Sequence, residues 1–124
     1  IECLSRKANK VTFIEKDPGA VKILKENLLD LSVENQSLVL NIDIKDIYEN
    51  IKNSKFNILF FDPPFNNKSF FNVLKILKKN NNFEQKHVVI IHRERNSLDE
   101  YEGYLELISI KKYSRSKIIF GKLI

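Results

Sequence analysis

The sequence predicts an α/β domain built on an open sheet, and three observations carry that expectation. Short apolar runs of strand length recur at residues 11–14, 38–40 and 58–61, each followed within a few residues by an acid. Between them lie apolar residues at helical spacing, most clearly Val21, Leu24, Leu28 and Leu31. The third run ends abruptly in Asp62-Pro63-Pro64-Phe65. In an open α/β sheet the carboxyl ends of the strands are where ligands bind.

Taken in order, residues 1–8 read as the tail of a helix, with Ile1, Leu4 and Ala8 on one face. Residues 11–14 form a short buried strand ending at Glu15-Lys16-Asp17. Asp17 then caps a helix that has Pro18 at its first position. Its apolar stripe is core, while Lys22, Lys25 and Glu26 face water. Residues 38–40 are a second strand, ending at Asn41-Ile42-Asp43, and Ile44, Ile47 and Ile51 fit one face of a short helix.

The charge-free run 58–61 predicts a strand buried on both faces. After a polar loop, Asn66-Asn67-Lys68-Ser69, the residues Phe70, Val73, Leu74 and Leu77 mark a helix that runs out at Asn80-Asn81-Asn82. Residues 88–91 are a further strand, followed by His92-Arg93-Glu94-Arg95. His92 has no Cys/His cluster around it, so no metal site is expected. Residues 104–110 and 118–123 read as two last strands. The segment 111–117 between them lacks a tight-turn signal such as Asn-Gly, which predicts a broad basic connection.

A chain of 124 residues, 43% hydrophobic, is expected to form a single domain over residues 1–124. There is no run of eighteen apolar residues and no charged-then-apolar leader, so neither a membrane span nor a signal peptide is expected. The single cysteine, Cys3, excludes an internal disulfide and fits a reducing cytoplasm. The chain opens on Ile1 rather than Met, which implies that residue 1 is not a natural start. Charge is uneven: nine Lys/Arg stand against ten Asp/Glu up to Asp62, and twelve against six after it. The positive excess therefore follows the Asp-Pro-Pro corner, which points to an anionic polymer such as nucleic acid as partner.

The corner itself suits one task. Each proline disfavours the α region for the residue before it and fixes its own φ, so the chain leaves the strand stiff and extended. The Asp62 carboxylate and the Pro63 carbonyl can both accept from an exocyclic amine, and Phe65 can stack on the ring that bears it. Accepting both amine protons leaves the nitrogen lone pair more available for attack on an electrophile.

With strands ending in acids and Asp-Pro-Pro-Phe, the chain resembles the Rossmann-like S-adenosylmethionine-dependent methyltransferases, and among them the RsmD family, which methylates a guanine N2 in small-subunit ribosomal RNA. The resemblance lies in Ile1-Glu2-Cys3-Leu4-Ser5-Arg6-Lys7-Ala8, in Val11-Thr12-Phe13-Ile14-Glu15-Lys16-Asp17, in residues 56–65 and in Tyr113-Ser114-Arg115-Ser116-Lys117. It implies that Glu15, with Lys16 beside it, holds the ribose hydroxyls of S-adenosyl-L-methionine, that Asp43 meets the adenine amine and that Ile44 packs beside the adenine. Asp62, also lining the cofactor, would bind the target amine together with the Pro63 carbonyl, Pro64 would stiffen the corner, and Phe65 would stack on the base. Tyr113, Arg115 and Lys117 would contact RNA.

The implied partner is ribosomal RNA or the small ribosomal subunit, and the implied fold has helices on both sheet faces; a cytoplasmic location is expected, and a monomer is favoured although the sequence does not identify the oligomeric state. The family's first, central strand and Gly-rich loop have no counterpart among Gly19, Gly103 and Gly121, so a partial methyltransferase domain is expected that binds cofactor weakly or not at all and is inactive by itself. Arg93-Glu94 stands where the family pattern has an acid, a change expected to leave the chemistry untouched. An N6-adenine methyltransferase acting on DNA or RNA, and a non-catalytic RNA-binding module, are the alternative readings.

Overall fold

Short runs of β-branched and aromatic residues become strands, and apolar residues recurring every third or fourth position become helices. The computed structural model describes all residues, Ile1–Ile124. The chain divides into two compact units, Ile1–Ile47 and Tyr48–Ile124.

The first unit contains α1 (Glu2–Ser5), β1 (Val11–Ile14), α2 (Pro18–Asp30), β2 (Ser37–Leu40) and a 3-10 turn at Ile44–Asp46. α1 is shorter than the 1–8 periodicity predicts, because Lys7 turns left-handed at φ 68° and donates back to the Leu4 carbonyl. Of the predicted face only Leu4 is buried. α2 starts as expected: Asp17 Oδ1 accepts from Ala20 N at 2.6 Å, with Pro18 in the first turn. Val21 and Leu28 are buried, but Leu31 lies past the last turn and is exposed. β1 and β2 pair in parallel from Val11↔Ser37 to Ile14↔Leu40. The helix expected over Ile44, Ile47 and Ile51 does not form as one piece. Bonds from Asp46 N to the Asp43 carbonyl and from Ile47 N to the Ile44 carbonyl close a separate 3-10 turn.

The second unit contains α3 (Tyr48–Ile51), β3 (Phe56–Phe61), α4 (Phe70–Lys79), β4 (Phe83–Glu94), β5 (Leu105–Lys112) and β6 (Ser116–Leu123). Its sheet has the order β3-β4-β6-β5. β3 and β4 are parallel, joined through α4, while β6 runs antiparallel to both β4 and β5. Phe70, Val73, Leu74 and Leu77 of α4 are all buried, as their spacing predicts. They share the core with Leu59, Val89, Ile91 and Ile119 of the sheet.

Two expectations are corrected here. β3 is buried on one face only: Leu59 is enclosed, but Ile58 and Phe60 are 50% and 61% exposed. Within this unit β3 is an edge strand with β4 as its sole neighbour, and α4 meets the face of Phe61, whose ring lies 6.5 Å from that of Phe70. The connection between the last two strands is tight, not broad. The strands extend to Lys112 and Ser116, and Tyr113 N donates to the Ser116 carbonyl at 2.8 Å. Arg95 holds the turn from outside, giving Nη1 to the Tyr113 carbonyl and its backbone N–H to that of Arg115.

The asparagine run after α4 does more than end it. Asn81 adopts φ 54°, and the buried Asn82 side chain donates to the Ile51 and Ser54 carbonyls at 2.8 and 2.9 Å. Asn82→Ala removes both bonds, leaving the Ser54 carbonyl without this donor and the Ile51 carbonyl to the Ser54 N–H alone, and about 2 kcal/mol of unfolding free energy is expected to be lost. Urea denaturation measures this: the midpoint falls at unchanged slope, and an unchanged midpoint would show that the two bonds are dispensable.

Candidate active site

The strand β3 delivers its last apolar residue, Phe61, opposite Ile91 of β4, so the next residues on the two parallel strands, Asp62 and His92, come together. His92 Nδ1 lies 2.8 Å from Asp62 Oδ1. An ionised carboxylate only accepts, so Nδ1 carries the proton and Nε2 is the open nitrogen of the ring. Phe65 sets its ring edge-on to the imidazole at 5.8 Å. The carboxylate is not sealed into the core: the Asp62 side chain is 60% exposed and the Phe65 ring is also accessible. Asp62 Oδ2 and the Pro63 carbonyl accept no hydrogen bond from the chain. The corner thus presents two open acceptors and a ring, as the sequence predicts.

What holds the corner comes from the other face of β4. Side chains alternate along a strand, so Val89, Ile91 and Arg93 point into the core while His92 points away from it. Arg93 is 1% exposed, and each of its five N–H groups has an acceptor. Nε and Nη2 grip the two oxygens of Asp99 at 2.7 and 3.2 Å. Nη2 also donates to the Phe65 carbonyl at 2.9 Å, and Nη1 to the carbonyls of Pro64 and Asn67, both at 3.3 Å. The guanidinium carbon sits 5.1 Å from the centre of the Phe70 ring.

Around the loop, Asn67 N donates to the Pro64 carbonyl at 2.8 Å and Asn67 Oδ1 accepts from Ser69 N at 2.7 Å. Arg93 thus binds the backbone on which Phe65 stands. Burial pushes the Asp99 carboxyl up, but the hydrogen bonds it accepts, those from Arg93 first, together with the Arg93 charge hold the group below its ordinary 3.8. Tyr101, donating to Asp99 at 3.3 Å, is raised well above an ordinary phenol by burial and by that carboxylate.

In the first unit the strand ends are also organised. Asn41 Nδ2 donates to the carbonyls of both Glu15 and Lys16 at 3.0 Å, tying the end of β1 to the end of β2. Glu15 Oε1 accepts from Asp17 N at 2.9 Å, which leaves Oε2 free. Asp43 caps the 3-10 turn through Lys45 N, so Ile44 follows it at a fixed position. Both carboxylates thus keep their expected places at the carboxyl ends of parallel strands.

Of the residues expected to contact RNA, Tyr113 and Arg115 lie exposed in the β5–β6 turn. Lys117 is partly buried, and its ammonium donates to the Ser97 carbonyl at 2.6 Å. Reading the sequence for motifs missed His92, Arg93 and Asp99. The available signal was the strand alternation, which puts Arg93 on the same side as Val89 and Ile91, with an acid six residues on.

Parallel strands ending in acids, with an Asp-Pro-Pro-Phe corner, define the Rossmann-like fold of methyltransferases. A crystal structure of a candidate methylase from Haemophilus influenzae matches 99% of this chain and 78% of its own, with a TM-score of 0.83 at 27% identity. Residues 1–122 match the family described as Conserved hypothetical protein 95, and the chain belongs to that family, the RsmD family. Among its relatives, the ribosomal RNA small subunit methyltransferase D of Haemophilus influenzae is 32% identical over 97 residues, 77% of this chain and 50% of the relative. The protein of that name from Buchnera aphidicola is 31% identical over 123 residues, 99% of this chain and 61% of the relative. The chain spans about half the length of the curated relatives it matches.

The Arg93–Asp99 pair makes stability sensitive to acid. Because the folded carboxyl sits below 3.8, its contribution is fully present above that pH and disappears as pH falls through the lower folded value. Thermal melts across pH 2 to 6 are expected to show an acid limb that is shallower in Asp99→Asn, whose lower stability no longer depends on this group; parallel limbs would contradict the assignment.

Proposed function

We propose that this chain is part of an S-adenosylmethionine-dependent methyltransferase that modifies the N2 amine of a guanine in small-subunit ribosomal RNA. The observation that carries the reading is the corner: an exposed carboxylate, a free proline carbonyl and an accessible phenyl ring within four residues. Membership of a family whose named relatives are ribosomal RNA methyltransferases supports it.

In this reading Asp62 Oδ2 and the Pro63 carbonyl accept hydrogen bonds from the two amine N–H groups while Phe65 stacks on the base. His92 steadies Asp62 through Oδ1, which keeps the second oxygen aimed outward. S-adenosylmethionine supplies an electrophilic sulfonium methyl group when bound. The residues of the first unit fit its nucleoside part: Glu15 keeps one carboxylate oxygen free for a ribose diol, and Asp43 and Ile44 stand at the next strand end for adenine. Alignment and exclusion of water account for the rate in preference to a strong base. The base must be unpaired or flipped to reach the corner.

Lysines and arginines downstream of the corner, with Tyr113 and Arg115 in the exposed turn, draw the RNA backbone by charge. No helix is long and apolar enough to cross a membrane. Relatives named as ribosomal RNA methyltransferases support a cytoplasmic location. We further propose that residues 1–124 form one partial methyltransferase domain, and that a Gly-rich segment outside them completes the cofactor site.

The test is transfer of a labelled methyl group by the protein as its gene encodes it, including any residues before Ile1. Deproteinised small-subunit RNA or the assembled subunit is expected to be labelled at guanine N2, and Asp62→Ala to lose about a hundredfold or more. Label on adenine N6 of duplex DNA would replace this reading with its closest competitor. RNA binding that is indifferent to Asp62→Ala, with no transfer, would leave a binding module. In calorimetry the 124-residue chain alone is expected to bind S-adenosylmethionine more weakly than micromolar, and micromolar binding refutes the partial-domain proposal.

A further inference from the structure

The corner's acceptors are useful only if they face outward, and the prolines alone do not decide that. They fix φ and stiffness, whereas the direction of each carbonyl depends on what binds it. Three carbonyls of the loop, those of Pro64, Phe65 and Asn67, are turned onto the Arg93 guanidinium, and the Pro63 carbonyl is not. We propose that Arg93 is a positioning residue for the corner: it draws the backbone after Pro63 onto the buried face of β4, leaving the Pro63 carbonyl and Asp62 to the incoming amine. The proposal rests on reading the corner as an amine-binding site.

The chemistry of the side chain argues for this role. A purely structural counter-ion to Asp99 needs two donors, and Arg93 uses its remaining three on the loop. Lysine has only three donors on one flexible point charge and cannot span Asp99 and three separate carbonyls. Asp99 fixes the plane of the guanidinium, and Phe70 lies against its carbon, so the fork cannot swing away from the loop. His92, next in sequence but on the opposite face, fixes the carboxylate. Two adjacent residues of one strand thus hold the two halves of the acceptor pair, one through a side chain and one through the backbone.

The experiment compares wild type, Arg93→Lys and the double variant R93M/D99L. The double variant removes both charges together, so no lone buried charge is left to unfold the protein. Two quantities are read: methyl transfer to small-subunit RNA, and amide hydrogen exchange at Asn67 and Ser69, with Ile119 in β6 as reference. In both variants kcat is expected to fall about a hundredfold, as a misplaced acceptor requires, with the KM for S-adenosylmethionine unchanged. The Asn67 and Ser69 amides are expected to exchange about tenfold faster or more while Ile119 keeps its protection.

Wild-type transfer by the double variant, or undiminished protection at Asn67 and Ser69, overturns the proposal. So does loss of protection at Ile119 in both variants, which would make Arg93 a folding residue. If wild type transfers no methyl group, the functional reading fails on its own, and the exchange result alone then supports or overturns the clamp.

Discussion

The buried ion pair between Arg93 and Asp99 is the constraint on which the second unit's functional end depends. Placing both charges out of water is costly, and attraction offsets the cost only when geometry is good and every remaining donor is satisfied. Both conditions hold, since the five guanidinium N–H groups meet two carboxylate oxygens and three loop carbonyls. Removing one partner of such a pair typically costs about 3–5 kcal/mol, because the other is left buried and charged. An apolar pair could fill the same space, but it could not orient three carbonyls.

The surrounding structure makes this interaction possible at modest cost. α4 brings Phe70 against the guanidinium and, through Val73, Leu74 and Leu77, closes the core beneath the sheet. β4 is bonded on both sides, by β3 and β6, so the residues at its end are held at a defined height. Its alternation then sends consecutive residues to opposite faces, Arg93 into the core and His92 toward Asp62. The candidate site is therefore a product of strand geometry as much as of the corner motif. A rigid element supplies the precision, and a short loop supplies the chemistry.

The first unit follows the same logic on a smaller scale. Asn41 spans the ends of two parallel strands and fixes the backbone at Glu15 and Lys16, while capping of α2 fixes Asp17 and capping of the 3-10 turn fixes Asp43. In the first unit Glu15 and Asp43 are held by local backbone N–H groups, and in the second Asp62 is held by the His92 ring, with the second oxygens of Glu15 and Asp62 left open. That arrangement is ready to bind hydroxyls or amines and needs little rearrangement to do so.

Much of this was legible in the residues themselves. The strands β1 and β2, the capped start of α2, the core stripe of α4 and the identity and stiffness of the corner's groups are set by local chemistry: side-chain period, capping oxygens and the fixed φ of proline. Tertiary structure alone decided the rest. An uncharged run such as residues 58–61 reads the same whether one face of its sheet is covered or both, so the exposure of Ile58 and Phe60 could not be foreseen. The tight β5–β6 turn is held by Arg95 from eighteen residues away, and no turn motif records that. The roles of Arg93 and His92 arise because parallel pairing brings β4 level with the corner from thirty residues along the chain. Local sequence fixes which groups each segment offers, and long-range pairing decides which of them meet.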